Sequence, residues 1–184
     1  RTALVTQLQQ ALHEYYPTSL QAFDDWTLRS TWAFVEAFPT PEALVKAGKR
    51  KWEKFLHTHK LYRPENYQKR LELFAQAQTF CGTRATINAK SMLAVALAGQ
   101  LRTLQTHLDH FRDRIQTLFA QHPDHDVFGS LPGAGDKLAP RLLAELGDDR
   151  RRFDSPQALQ CYAGTAPVSY QSGQIKKVYF RRAC

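Results

Sequence analysis

Apolar residues recur every three to four positions over most of this chain, the spacing of helices that bury one face. Leu4, Leu8, Leu12 and Tyr15 repeat in this way between Thr2 and Tyr16, and Pro17 ends that segment. Trp32, Val35 and Phe38 line one side of a second segment, Leu28 to Phe38. Thr40-Pro41-Glu42 reads as a helix start, with Thr as N-cap, Pro at the first helical position and an acid in the first turn. Gly48 stops that short helix. Lys49 to Lys60 forms the next, presenting Trp52, Phe55 and Leu56 beside a basic run. Pro64-Glu65 opens a further helix to about Phe80, where Cys81-Gly82-Thr83 interrupts it. Trp26, Trp32 and Trp52 sit at helical positions and read as core rather than as platforms for base stacking.

The longest periodic stretch follows. Ala94, Leu97, Leu101, Leu104, Leu108, Phe111, Ile115 and Leu118 alternate steps of three and four, the seam of a coiled coil. Such a seam closes either on the helices at 2–16 and 65–80 of the same chain or on a second copy. The narrow, nearly all-Leu stripe favours the second copy, making Leu97 to Leu118 a dimerisation surface and the protein a homodimer. Asp109 and Asp113 with Arg112 and Arg114 read as its solvated flanks.

His122-Pro123-Asp124 ends the long helix and a second unit begins. Leu131-Pro132-Gly133-Ala134-Gly135 is a tight turn before a helix from Asp136 to Leu146, stopped by Gly147. Ser155-Pro156 caps another helix, which stops at Gly164. From Thr165 the period changes to two: Val168 and Tyr170, then Ile175 and Val178 beyond Gly173, predict a small β-hairpin. Arg150-Arg151-Arg152, between the two helices, is expected to face solvent. The expected fold is mainly α: a helical bundle with a long coiled-coil helix over 1–125, then a small helix-hairpin-helix-like domain over 126–184 ending in the hairpin.

Composition narrows the function. The chain has 184 residues, 43% hydrophobic, enough to fill a core. No apolar run is long enough to span a bilayer, so no membrane partner is expected, and three scattered cysteines (Cys81, Cys161, Cys184) fit a reducing, cytoplasmic setting. A net charge of +8 favours a polyanion. Residues 73–108 and 155–184 contain no acid, and the second stretch ends in Lys176, Lys177, Arg181 and Arg182 interleaved with Tyr179 and Phe180, suited to phosphate contact with an aromatic for stacking. In the glycine turn, Gly133 and Gly135 let backbone N–H groups crowd at a helix N-terminus, and Lys137 and Arg141 would reinforce a phosphate contact there. This turn resembles the helix-hairpin-helix motif, which grips nucleic-acid backbone without reading sequence. His107, His110, His122 and His125 lack zinc-like spacing, and Asp148, Asp149 and Asp154 alternate with arginines, so no metal site is expected in this chain.

Tyr162-Ala163-Gly164-Thr165-Ala166-Pro167-Val168-Ser169-Tyr170-Gln171-Ser172-Gly173 carries a more specific signal. Taken in order with Leu131 to Gly135, Ala144 to Asp148 and Arg152 to Pro156, it resembles the C-terminal domain of the IS one-ten insertion-sequence transposases, DEDD-type, bridge-RNA-guided serine recombinases. Residues 1–60, including Tyr16-Pro17 and Phe38 to Leu44, are similar to that family's middle region.

The resemblance implies a mechanism. A serine of the C-terminal domain attacks a DNA phosphodiester, while an element-encoded guide (bridge) RNA pairs with target and donor DNA. An N-terminal RuvC-like domain holds Mg²⁺ through four acids. By position before glycine, Ser172 matches the nucleophile, with Ser169 the runner-up and Tyr170 a distant third. DNA, the guide RNA and a homodimer, or a higher oligomer during strand exchange, are the implied partners. The acidic domain is absent from this sequence, which stops at Cys184 within a basic stretch, so the expectation is a fragment that binds no cofactor and is inactive alone. The competing reading is a non-catalytic helix-hairpin-helix nucleic-acid-binding or scaffold module. From chemistry alone, a serine before glycine is most often a turn residue.

Overall fold

The computed structural model describes residues 1–79, 83–149 and 151–179. Cys81, Arg150, Phe180, Arg181, Arg182 and Cys184 lie outside the described residues. Ten helices and one hairpin are described, and the chain divides into two compact units, Arg1–Arg112 and Asp113–Cys184.

The first unit opens with α1 (Thr2–Tyr15), α2 (Pro17–Ala22) and α3 (Arg29–Ala37). Pro17 does end α1, but it also starts α2 at the first helical position, where a missing N–H costs nothing. The Pro-led α4 (Pro41–Ala47) is capped as its sequence predicts, Ala43 N–H donating to Thr40 Oγ1 at 3.0 Å. Gly48, at φ 83°, then separates α4 from α5 (Lys49–Thr58), a turn that a Cβ would strain. The helix α6 (Pro64–Thr79) follows.

Aromatic side chains fill the space these helices enclose. Trp32, Trp52, Tyr15, Tyr16, Phe23, Phe34 and Phe38 are all fully buried. Phe34 and Phe38 meet Trp52 edge-on, with centroids 5.7 and 5.5 Å away, the geometry in which ring quadrupoles attract. Trp26 is buried too, so all three tryptophans are core as predicted. Arg70, on α6, is the buried cation of this core. It donates from Nε to the Ala22 carbonyl at 3.3 Å and from Nη1 to that of Leu61 at 2.6 Å, joining the ends of α2 and α5.

The long helix α7 (Arg84–Ala120) carries the heptad seam, and the two halves of the seam differ. Ala94, Leu97, Ala98 and Leu101 are buried in the core of the first unit, so this part closes within one chain. Leu108, Phe111, Ile115 and Leu118 remain 39%, 62%, 50% and 52% exposed. Polar bridges hold α7 along α1 and α3: Lys90 to Glu14 at 2.8 Å, Arg102 to Glu36 at 3.3 Å, and Arg29 to Asp109. Asp109 also accepts from Gln105 at 2.9 Å, so it is a junction rather than a solvated flank. Two cations of the acid-free stretch, Lys90 and Arg102, therefore face carboxylates from other helices, a pairing that the local sequence conceals.

The second unit has a small core of Phe119, Phe128 and Ala139, flanked by Ala134, Leu142, Leu143 and Leu146. Its elements are α8 (His125–Gly129), α9 (Leu138–Leu146), α10 (Pro156–Tyr162), and the antiparallel strands β1 (Val168–Ser172) and β2 (Ile175–Tyr179). The predicted helix at 136–146 thus begins at Leu138, and Pro140 falls in its first turn. Ser155 caps α10, accepting from Ala158 N–H at 3.2 Å.

Candidate functional site

Gly173 sets the register of the hairpin. Its φ of 57° suits the first position of a two-residue loop of the II′ kind, which matches the right-handed twist of paired strands. Ser172 is then the last residue of β1 and pairs with Ile175, while Tyr170 pairs with Lys177 and Val168 with Tyr179. These six residues share one face. Ser169 opposite Val178 and Gln171 opposite Lys176 occupy the other face. Each serine therefore has one lysine as its diagonal neighbour, Lys177 for Ser172 and Lys176 for Ser169.

Every residue of both strands is exposed, including Val168, Tyr170, Ile175, Val178 and Tyr179. A two-stranded hairpin with apolar side chains on both open faces is stabilised poorly by itself. No hydrogen bond joins the hydroxyl of Ser172 or Ser169 to another described residue. Both serines are exposed, and the described residues place no base against either hydroxyl.

The glycine turn comes before α9. Ala134 N–H donates to the Leu131 carbonyl, and Leu138 and Ala139 N–H both donate to that of Gly135, at 2.9 to 3.0 Å. Gly133, at φ 79°, needs to be glycine, whereas a Cβ at Gly135 would meet nothing within 4 Å. Lys137 and Arg141 stand one helical turn apart, exposed and without an ion pair among the described residues.

Arg151 and Arg152 are exposed, as expected, but Arg152 does more than face solvent. Its side chain is exposed, yet it donates from Nη1 to the carbonyls of Glu145 at 2.7 Å and Leu146 at 2.9 Å. Its Nη2 reaches the Tyr162 hydroxyl at 3.1 Å, and the guanidinium lies 5.0 Å from the Tyr162 ring and 5.3 Å from that of Phe153. One side chain so ties the end of α9 to α10, the helix that leads into β1.

Comparison with known proteins places this arrangement. Residues 125–184 match the family described as "Transposase IS116/IS110/IS902 family". The chain is 30% identical over 179 residues to "Mini-circle putative transposase for IS117" of Streptomyces coelicolor, covering 95% of this chain and 43% of that protein. It is 28% identical over 158 residues to "Insertion element IS900 uncharacterized 42 kDa protein" of Mycobacterium paratuberculosis, 84% of this chain and 38% of the relative. It is also 28% identical over 148 residues to "Insertion element IS110 uncharacterized 43.6 kDa protein" of Streptomyces coelicolor, 78% and 34% respectively. These matches support the IS116/IS110/IS902 transposase family for this chain. The chain spans less than half the length of these curated relatives, and no solved structure matches it.

The predicted site residues form two groups. Ser169, Ser172, Lys176 and Lys177 come together on the hairpin; Gly133, Gly135, Lys137 and Arg141 come together at the start of α9. Arg181 and Arg182 lie outside the described residues. Arg152 had no local signal, because its partners are backbone carbonyls set by the fold. Among the described residues, no three His, Cys, Asp or Glu side chains gather where a metal ion could be held, and no helix is long and apolar enough to cross a membrane. No group among the described residues fits the Mg²⁺ that the resemblance assigns to a separate acidic domain.

Proposed function

We propose that this chain is part of a DNA transposase that cleaves and rejoins DNA through Ser172, with sequence choice supplied by an element-encoded RNA. The observation that carries this reading is Ser172 itself: an exposed, unbonded hydroxyl at the hairpin tip, beside Gly173, with Lys177 diagonal to it. In the reaction, Ser172 Oγ forms a bond to a backbone phosphorus as the bond from that phosphorus to one deoxyribose oxygen breaks. The serine proton leaves to a base, and the departing alkoxide takes up a proton. The phosphoserine keeps the phosphoester energy, so attack by another strand's free hydroxyl rejoins DNA and restores the serine. Lys177 and Lys176 offset phosphate charge. The base, and the acids that hold Mg²⁺, belong to parts of the protein beyond this segment, which alone does not turn over DNA. Residues 1–125 supply dimerisation and 126–184 the catalytic serine, while the start of α9 and the basic hairpin hold nucleic acid in a helix-hairpin-helix-like manner.

A suicide DNA substrate, given to the full-length protein with its guide RNA, tests this. Wild type traps a covalent adduct, Ser169→Ala retains it and Ser172→Ala abolishes it. An adduct that survives Ser172→Ala but not Ser169→Ala moves the nucleophile. Binding with no adduct at all returns the segment to the non-catalytic reading.

A further inference from the structure

We propose that α5 and the turn after it, on the first unit, form a second nucleic-acid surface that takes an unpaired strand. Trp52 and Leu56 turn into the core, which leaves Arg50, Lys51 and Lys54 together on the opposite, exposed side of α5. None of the three makes an ion pair among the described residues; the pair in this helix is Lys49 with Glu53. Elsewhere in the unit, Arg29, Lys90 and Arg102 are neutralised by Asp109, Glu14 and Glu36. The α5 cations are left available.

The turn that follows adds a second, independent observation. Helix α5 ends with Leu61 N–H donating to the Leu56 carbonyl at 2.7 Å and Lys60 N–H to that of His57 at 3.1 Å. This closure needs a left-handed residue between them, the position glycine normally occupies. Here it is Lys60, at φ 56°, the one non-glycine residue with positive φ among the described residues. A lysine in that conformation works against stability, which points to a use for its charge. Next to it, Tyr62 is 51% exposed and lies stacked near His57, ring centroids 5.2 Å apart at 23°. An exposed ring among phosphate-binding cations suits a base that has left its stack; the faces of bases inside a duplex are already covered.

A cleft of about 340 Å³ opens beside this turn, lined by Lys60, Arg63, Asn66 and Arg70, with Asp24 and Asp25 across it. Arg70 is 93% buried by fractional area (7% exposed), and its Nη2 donates to no described protein group. Both carboxylates are already engaged, Asp24 by Asn66 Nδ2 at 3.1 Å and Asp25 by the backbone and hydroxyl of Thr27. Free donors remain for acceptor atoms of a bound nucleotide. The identity of the ligand as nucleic acid rests on the transposase reading above; the surface itself does not.

Fluorescence anisotropy on this chain, with labelled oligouridylate, oligothymidylate and a duplex of equal length, each about 20 units, tests the proposal. Wild type binds one or both single strands more tightly than the duplex, and the tighter of the two identifies RNA or DNA as the source. Replacing Arg50, Lys51 and Lys54 together by Ala flattens the log–log salt dependence by about 2, as expected for three lost phosphate contacts. Tyr62→Ala weakens binding about tenfold with the salt slope unchanged. Lys60→Gly raises the unfolding temperature while weakening binding, a combination that simple misfolding cannot produce. Single-strand binding untouched by the triple variant but lost in Lys137→Ala/Arg141→Ala overturns this surface and leaves the C-terminal reading standing. Loss only in the α5 variants supports it even where the serine assay fails, and absence of any binding by wild type overturns it.

Discussion

Arg152 and Tyr162 are joined twice, by a 3.1 Å hydrogen bond from Nη2 to the phenolic oxygen and by the guanidinium lying 5.0 Å from the ring. The same guanidinium holds the Glu145 and Leu146 carbonyls, two of the acceptors that a helix C-terminus leaves unpaired. Three elements of the second unit, α9, the 147–155 connection and α10, thus depend on one planar fork. Arg152→Ala is expected to destabilise that unit by about 1 kcal/mol, an amount kept low by the exposure of the side chain. Arg152→Lys should rescue little, because an ammonium cannot bond both carbonyls and stack at once. Hydrogen exchange at the amides of α10 reads the effect; unchanged protection in Arg152→Ala would contradict it.

Tyr15 and Tyr16 pack with ring centroids 6.1 Å apart, and neither buried hydroxyl has a hydrogen-bond partner among the described residues. Burial pushes both phenols well above their ordinary value, and for Tyr16 a neighbouring Tyr15 phenolate would push further in the same direction. The folded state therefore keeps protons that the unfolded chain releases above about pH 10. Stability is full below that value and falls as pH rises from there toward the folded pKa, by up to about 1.4 kcal/mol per pH unit for each tyrosine. Tyr16→Phe is expected to halve that alkaline slope. At neutral pH it should raise stability by about 1 kcal/mol, since an unpaired buried hydroxyl is removed. Urea titrations at neutral and alkaline pH measure both effects, and a destabilised Tyr16→Phe would mean that the hydroxyl has a partner after all.

What could be read along the chain was what local physics decides. Thr40 and Ser155 cap helices because a short hydroxyl beside an N-terminus has few other uses, and Gly173 sets the hairpin because a two-residue loop demands positive φ. The short helices α2 and α8 are less legible: five or six residues hold too little periodicity, and Pro17 serves as a stop and a start at once. Heptad spacing could show that Leu97 and Phe111 lie on one stripe of α7. It could not show that the first is covered within the chain and the second is open, because that depends on where α1 and α3 end. In the candidate site, the exposure of Ser172 followed from its turn, whereas the pinning of Arg152 arose from carbonyls invisible to sequence pattern.

Trp52 links the aromatic core to the buried cation. Its Nε1–H donates to the Arg70 carbonyl at 2.8 Å, while its ring meets Phe34, Phe38 and Phe55. Trp52→Ala removes that packing and leaves a buried acceptor unpaired, an expected loss of about 3–5 kcal/mol. Trp52→Phe restores much of the area but not the hydrogen bond, so it should cost less. A loss below about 1 kcal/mol for Trp52→Ala in chemical denaturation would show that the neighbouring rings close over the gap, contrary to this account.

The open half of the α7 seam makes the dimerisation proposal testable. Phe111, Ile115 and Leu118 are half or more exposed on a helix whose preceding turns bury the same stripe completely at Leu101. Water against several large apolar side chains in register is unfavourable by about 25 cal/mol for each Å² left uncovered, and a second copy of the same stripe covers it most simply. Equilibrium sedimentation is expected to show reversible self-association of the wild-type chain. Phe111→Lys with Ile115→Lys should shift it to monomer without lowering helix content, since both side chains already face solvent. Leu101→Lys, buried in the first unit, should instead unfold that unit. A wild type that sediments as a monomer at every concentration would assign the stripe to some other partner. Persistent association in the double variant would place the interface elsewhere on the chain.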